Sequence, residues 1–196
     1  MNARRRILAA SLAAATLALL GAQVHAQAPK VLKISHQFPG GSIDEGDFRD
    51  RMVRKFAAEV EKRTNGQLKF EIYPGGSLVK PVEQWGAMAN GSLDLSLYPL
   101  AYAGGRVPEL NIGLMPALVT SYEQGLRWKD APIGKELTRI VEEKGVKIIT
   151  WVWQAGGIAS RGKPILQPDD VKGLKFRGGS KEMDMMLKAA GASPTN

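Results

Sequence analysis

Apolar and polar positions change period several times along the chain. Val31-Leu32-Lys33-Ile34-Ser35 reads as a first strand, and Phe38 to Asp44, with glycine, proline and serine, as a loop. From Glu45 to Thr64 the apolar residues Phe48, Met52, Val53, Phe56, Ala57 and Val60 recur at helical spacing. Charged residues take the opposite face, and Asn65-Gly66 supplies a stop. Leu68, Phe70 and Ile72 then alternate with polar residues before Pro74-Gly75-Gly76, which predicts a second strand. Strand, helix and strand in this order predict a parallel pair joined by a right-handed crossover.

The alternation continues. Pro81 to Asn90 reads as a helix ended by Gly91, and Leu93 to Tyr98 as a strand stopped by Pro99. Ala101 to Thr120 holds five glycines and prolines among apolar residues, the mark of an irregular connection. Ser121 with Gln124 resembles a capping box, opening one helix, or two broken near Pro132, that runs to Lys144. Val146 to Trp153 is β-branched and aromatic on both faces, which predicts a central strand. Glycines at 156 and 157 turn the chain into an extended, proline-bearing stretch from Arg161 to Pro168. A short turn over Asp169 to Lys172, a strand over Leu174 to Arg177 and a helix over Lys181 to Ala190 follow. This regular alternation predicts an α/β layered sheet.

The first 26 residues stand apart. Arg4-Arg5-Arg6 precedes an apolar run from Ile7 to Leu20, and Val24-His25-Ala26 places small residues where a signal peptidase cuts. That is the pattern of an export signal, with an apolar run too short for a membrane anchor. Whether the route is Sec or twin-arginine stays open, and a periplasmic or secreted location is expected. The composition, 44% hydrophobic and 23% charged, suits a globular protein. Net charge is +8, but three of the arginines lie in the leader. The rest is mildly basic without long like-charge runs, so no nucleic-acid partner is expected. With no cysteine there is no disulfide, lipidated cysteine or thiolate metal site.

Catalytic patterns are missing where they would be sought. Gly157 to Lys163 has P-loop spacing, but Pro164 stands where the magnesium-binding Ser or Thr belongs. His36 is the one histidine beyond the leader, so any Ser-His-Asp triad would have to use it. It reads either as a loop histidine bonded to backbone or as a ligand-facing group. Asp44, Glu45 and Asp47 gather at a helix start, where the macrodipole accounts for them. Trp151 and Trp153 share one strand face and read as core packing or as a pocket wall. His36-Gln37, Tyr98, Trp153-Gln154 and Arg177 all fall at the C-terminal ends of predicted parallel strands, the edge where open sheets bind ligands. Polar and aromatic groups collected there without catalytic ones indicate binding without chemistry.

Several stretches carry a family resemblance: Gly66-Gln67-Leu68 to Tyr73-Pro74-Gly75-Gly76-Ser77-Leu78, Gly91-Ser92-Leu93-Asp94-Leu95, Asp170-Val171-Lys172-Gly173-Leu174-Lys175-Phe176-Arg177, and Gly191-Ala192-Ser193-Pro194-Thr195. The chain resembles the substrate-binding proteins of TRAP (tripartite ATP-independent periplasmic) transporters, the dicarboxylate-binding type. The resemblance implies a two-lobed α/β fold of the type II periplasmic binding protein class, with mixed sheets. It implies no catalysis, no cofactor and no metal; the protein is expected to act as a monomer. Its partners would be a carboxylate-bearing solute, an organic acid, and the membrane permease subunits that receive it. Residues 27–157 would form the first lobe and 158–196 the start of an incomplete second one.

In the family, the arginine ending the LKxR strand pairs bidentately with the ligand carboxylate, and Arg177 matches it. Arg161 matches a second, assisting arginine. Gln37, Leu97 and Tyr98 fall where members line the pocket. Pro99 stands where sialic-acid-binding members carry an acidic residue, so that substrate is not carried over. Gly178-Gly179 leave room for a bulkier ligand. Family members run well over a hundred residues longer, and the end after Gly191 reads as a truncation. The alternatives are a secreted α/β hydrolase of small acids built on His36, or a non-functional fragment.

Overall fold

The computed structural model describes residues 28–195, so the export signal at 1–26 lies outside the described residues. Strand β1 (Lys30–His36) lies at the centre of a three-stranded sheet, between β2 (Leu68–Tyr73) and β3 (Leu95–Leu97). Both pairings are parallel, with Ile34 opposite Ile72 on one side and Leu95 on the other. Helix α1 (Phe48–Arg63) makes the crossover between β1 and β2 and packs on β2. Asp47 caps it by accepting from the Arg49 N–H at 2.9 Å. Asn65 and Gly66, both at positive φ, end the helix region where the sequence places the stop. Only Asp50, Val53 and Ala57 of α1 are buried; Phe48 stays half-exposed, and Phe56 meets Phe70 of β2 edge-on at 5.9 Å.

Helix α2 (Gln84–Ala89) follows a 3-10 turn over Pro81–Glu83 and brings Gln84 beneath the sheet, almost wholly buried. The Gln84 amide donates to Ser35 Oγ at 3.3 Å and to the Val79 carbonyl at 3.0 Å. Its oxygen accepts from Ser96 Oγ at 2.7 Å. Ser35 and Ser96 face each other in the β1–β3 register, so one amide clamps the two strands near their C-terminal ends. The irregular connection is built of 3-10 turns, Leu100–Ala103 and Pro108–Leu114. The helix expected over 121–144 breaks at Pro132, into α3 (Tyr122–Arg127) and α4 (Pro132–Glu143) with a 3-10 turn between them. Ser121 Oγ caps α3 as predicted, accepting from the Gln124 N–H, but the Gln124 oxygen reaches back to Thr120 N instead of closing the box on Ser121.

The strand expected over Val146–Trp153 is absent. The segment has no strand assignment, and no described strand pairs with it. Its inward residues Val146, Ile148, Trp151 and Trp153 pack on a core of Trp85, Ala103, Val107, Leu110, Trp128, Leu137 and Val141. Ile149 and Val152 point to solvent, 64% and 40% exposed. Apolar residues on both faces fit a segment flanked by neighbours; without a ladder partner only the core side is satisfied, and strand geometry is not imposed.

The last part forms its own small unit. A 3-10 turn at Pro168–Val171 leads into β4 (Lys175–Arg177), then α5 (Lys181–Ala189) and β5 (Ser193–Thr195). Strands β4 and β5 pair in parallel, the second β-α-β arrangement in the chain. Val171, Leu187 and Ala192 are its core, with Ile165, Phe176 and Met183 against them. Gly191, at φ +88°, stops α5 as the sequence indicates. The 3-10 run Pro108–Leu114 packs against α5 and joins this unit to the earlier elements. No helix among the described residues is long and apolar enough to cross a membrane.

If Val146–Trp153 is unpaired, its amides have no ladder to protect them. The Ile149 and Val152 amides should exchange with deuterium at least about a hundredfold faster than those of Ile34 and Ser35. Comparable protection would restore the strand.

Candidate functional site

His36, at the end of β1, is fully buried and turned onto α1 rather than outward. Its Nε2 lies 3.1 Å from Asp50 Oδ1, so Nε2 carries the proton and donates to the carboxylate. Asp50, also fully buried, accepts from the Gly41 N–H at 2.9 Å and from Arg54 Nε at 2.7 Å. Burial alone would raise the Asp50 carboxyl, but the bonds from Arg54 and Gly41 outweigh it and hold the group below its ordinary value. Burial pushes His36 down, partly offset by Asp50. His36 therefore anchors the loop after β1. It bonds a side chain, not backbone, and no hydroxyl or amine among the described residues hydrogen-bonds its ring.

Gln37 and Phe38 follow, both half-buried. The Arg49 guanidinium lies over the Phe38 ring at 4.0 Å and is held by Asp47, with Nε to Oδ1 at 2.8 Å and Nη2 to Oδ2 at 2.6 Å. Those bonds hold the Asp47 carboxyl at about 2. Arg49 Nη1 also donates to Gln154 Oε1 at 3.3 Å, which draws Gln154 toward the end of β1 although 146–153 is not a strand. Trp153 is core-facing: it meets Trp128 edge-on at 5.1 Å and stacks on Trp151 at 6.3 Å. Gly125 of α3 makes room for it, since a β-carbon there would come within 2.7 Å of the indole. The Trp153 Nε1 is buried without a partner.

A second group gathers beyond β3. Leu97 ends the strand half-buried, and Tyr98 follows, its ring near Trp85 at 6.2 Å. The Tyr98 hydroxyl is buried and unpartnered, and burial pushes its pKa to about 12. Tyr102, in the 3-10 turn Leu100–Ala103, packs edge-on against Tyr98 at 6.1 Å. Arg177, at the end of β4, reaches across and donates from Nη2 to the Tyr102 hydroxyl at 2.7 Å. Among the described residues Arg177 forms no ion pair. Gly178 and Gly179 follow it, and Ser180 Oγ caps α5 by accepting from the Met183 N–H at 3.2 Å.

The structure thus links Tyr98 to Arg177 through Tyr102, and Gln154 to the Gln37–Phe38 corner through Arg49. Arg161 lies apart in an exposed bend, with no hydrogen bond or ion pair among the described residues. A depression of about 460 Å³ along α5 and β5, lined by Lys181, Asp184, Lys188 and Ser193, includes none of the expected site residues. Sequence reasoning missed Tyr102, Arg49 and Asp50. Asp50 had a signal, since it sits three residues before Val53 and seven before Ala57 on the apolar face of α1. Tyr102 had none, because its turn has no periodicity.

Lowered His36 and Asp50 values set the sign of an acid response. The unfolded chain binds protons that folded His36 refuses, so stability should fall as pH drops through about 6.5, His36's ordinary value. Asp50 adds a further loss at lower pH, as the medium falls through the carboxylate range toward its depressed value. Urea midpoints measured between pH 7.5 and 5.5 should decline in the parent and be flatter in His36→Gln; parallel slopes would show that His36 does not titrate with folding.

The family model for bacterial extracellular solute-binding protein, family 7, matches residues 42–196. A solute-binding protein of Albidiferax ferrireducens is 67% identical over 162 residues, covering 83% of this chain and 48% of that relative. The C4-dicarboxylate-binding periplasmic protein DctP of Rhodobacter capsulatus is 31% identical over 193 residues, 97% of this chain and 56% of its own length. A crystal structure of a TRAP periplasmic solute binding protein from Rhodoferax ferrireducens, with bound malonate, superposes with a TM-score of 0.82 at 66% identity, covering 84% of this chain and 52% of that one. The chain thus spans about half the length of these relatives. With β-α-β units of the same fold and a match running from the first loop to its last residue, the chain belongs to the family 7 extracellular solute-binding proteins, the DctP family of TRAP transporters.

Proposed function

We propose that this chain carries the carboxylate-recognition arginine of a periplasmic TRAP solute-binding protein. That protein captures an organic acid and delivers it to membrane permease subunits. The observation that carries the reading is Arg177: a guanidinium at a strand end, followed by two glycines, whose hydrogen-bond partner is a neutral phenol and not an acid. A planar five-donor fork without a carboxylate suits a planar anion. The bound malonate of the Rhodoferax ferrireducens protein and the name of the Rhodobacter capsulatus relative favour a short dicarboxylate. The leader pattern of residues 1–26 supports export to the periplasm.

In this reading, residues 27–157 and 158–196 belong to two lobes, and the ligand lies between them. Two separate apolar cores, one around Leu110 and Val141 and one around Leu187, support that division. The buried, unpartnered Tyr98 hydroxyl offers a second polar contact, with Leu97 shaping the wall beside it. Gln37 and Gln154 flank the β1 corner and would reach the solute from the other end. Exposed Arg161 is available to assist Arg177 electrostatically. Trp153 and His36 support the wall from behind: the first packs against α3, and the second holds the β1 loop through Asp50.

A hydrogen bond to a charged group contributes roughly 1.5–3 kcal/mol, and stranding a buried partner costs about 3–5 kcal/mol. Arg177→Ala should therefore weaken calorimetric binding of malonate or a C4 dicarboxylate by about two to three decades. Arg177→Lys should restore little of it, because the fork is lost. Parent-like binding by Arg177→Ala would remove Arg177 from the site.

A further inference from the structure

The donors around Arg177 rest on poor acceptors. Arg177 Nη2 donates to a neutral phenol oxygen, with the guanidinium carbon 5.7 Å from the Tyr102 ring centroid. Two residues further on, the Gly179 N–H donates to Met183 Sδ at 3.3 Å, and a thioether is a weak acceptor. Gly179 lies beside the guanidinium: a β-carbon built on it would be 4.0 Å from Arg177 Nη1. A carboxylate accepts charge-assisted hydrogen bonds about twice as strong as those to neutral oxygen. Tyr102 itself belongs to the turn after β3, while Arg177 ends β4 and Gly179 follows it, so the bond joins two structural units.

We infer that Tyr102 is the placeholder of the site: its hydroxyl holds the Arg177 fork in the unliganded chain and is displaced by the incoming carboxylate. One carboxylate oxygen takes over Arg177 Nη2, and the other reaches the Gly179 N–H that Met183 Sδ now occupies. Holding the arginine keeps a rotamer-rich side chain in one place until the ligand arrives. The same contact competes with the ligand, so Tyr102 sets how tightly the site binds. This inference rests on the carboxylate reading of Arg177.

The test compares the chain with Tyr102→Phe, which removes the hydroxyl and keeps the ring against Tyr98. Malonate is titrated into both by calorimetry, and the ring carbon bearing the hydroxyl of Tyr102 is followed by NMR in tyrosine labelled at that carbon with carbon-13. The expected result is a three- to tenfold tighter dissociation constant in Tyr102→Phe. In the parent, saturating malonate should move the Tyr102 signal toward its position in ligand-free Arg177→Ala, and the Gly179 amide proton should shift downfield. Malonate binding by the parent with an equal or weaker constant in Tyr102→Phe would overturn the placeholder role and leave the carboxylate reading standing. No malonate binding by either chain would sink both. If Tyr102→Phe misfolds, a Tyr102 signal that does not move in the malonate-saturated parent overturns the inference by itself.

Discussion

A fully buried carboxylate, Asp50, sets the terms for the front of the molecule. An isolated buried charge is strongly unfavourable, so the chain must bring donors to it, and three arrive from different places. His36 comes from the last residue of β1, Gly41 from the loop beyond it, and Arg54 from one turn further along α1. Their convergence fixes where β1 ends and how the next loop leaves the sheet. Gln84 does the same for the neighbouring strand, tying Ser35 to Ser96 through one amide. With both ends pinned, Gln37 and Tyr98 emerge on the edge that parallel strands share. The proposed ligand contacts from this part of the chain are consequences of those buried polar bonds.

The second unit contributes differently. Its β-α-β turn is small, with a core of three buried residues, and it delivers one charged group, Arg177, to the end of a three-residue strand. No carboxylate of the described residues comes to meet that guanidinium. Among the described residues Arg49, Arg54, Arg63 and Arg139 are ion-paired, whereas Arg51, Arg106, Arg127 and Arg161, like Arg177, are not. What distinguishes Arg177 is its place: at a strand end, before two glycines, with its guanidinium held by the phenol of another unit.

Much of this was legible in the sequence, where local chemistry decides the outcome. Asn65-Gly66, Gly191, the Ser121 cap and the break at Pro132 are local signals, and each is realised at its residue. The strand ends next to Gln37, Tyr98 and Arg177 follow from short apolar runs closed by loop, proline and glycine signals. Reading Val146–Trp153 as a strand failed for a non-local reason. Its composition suits a segment covered on both faces, and ladder pairing depends on a neighbour that periodicity cannot supply. The short β5 strand, Ser193–Thr195, contains a proline and has no strand pattern; it exists because β4 offers it a ladder. His36 was read as a group at a ligand edge, and its place beneath Asp50 depends on a helix whose acidic residue lies on its buried face. Tyr102 was silent because an irregular turn carries no period.

Whether Arg177 grips a carboxylate is decided by a crystal structure of the protein grown with a saturating dicarboxylate. One ligand carboxylate should lie about 2.7–2.9 Å from the Arg177 guanidinium nitrogens in a two-pronged pair. A dicarboxylate seated elsewhere, with Arg177 still on the Tyr102 hydroxyl, would contradict it.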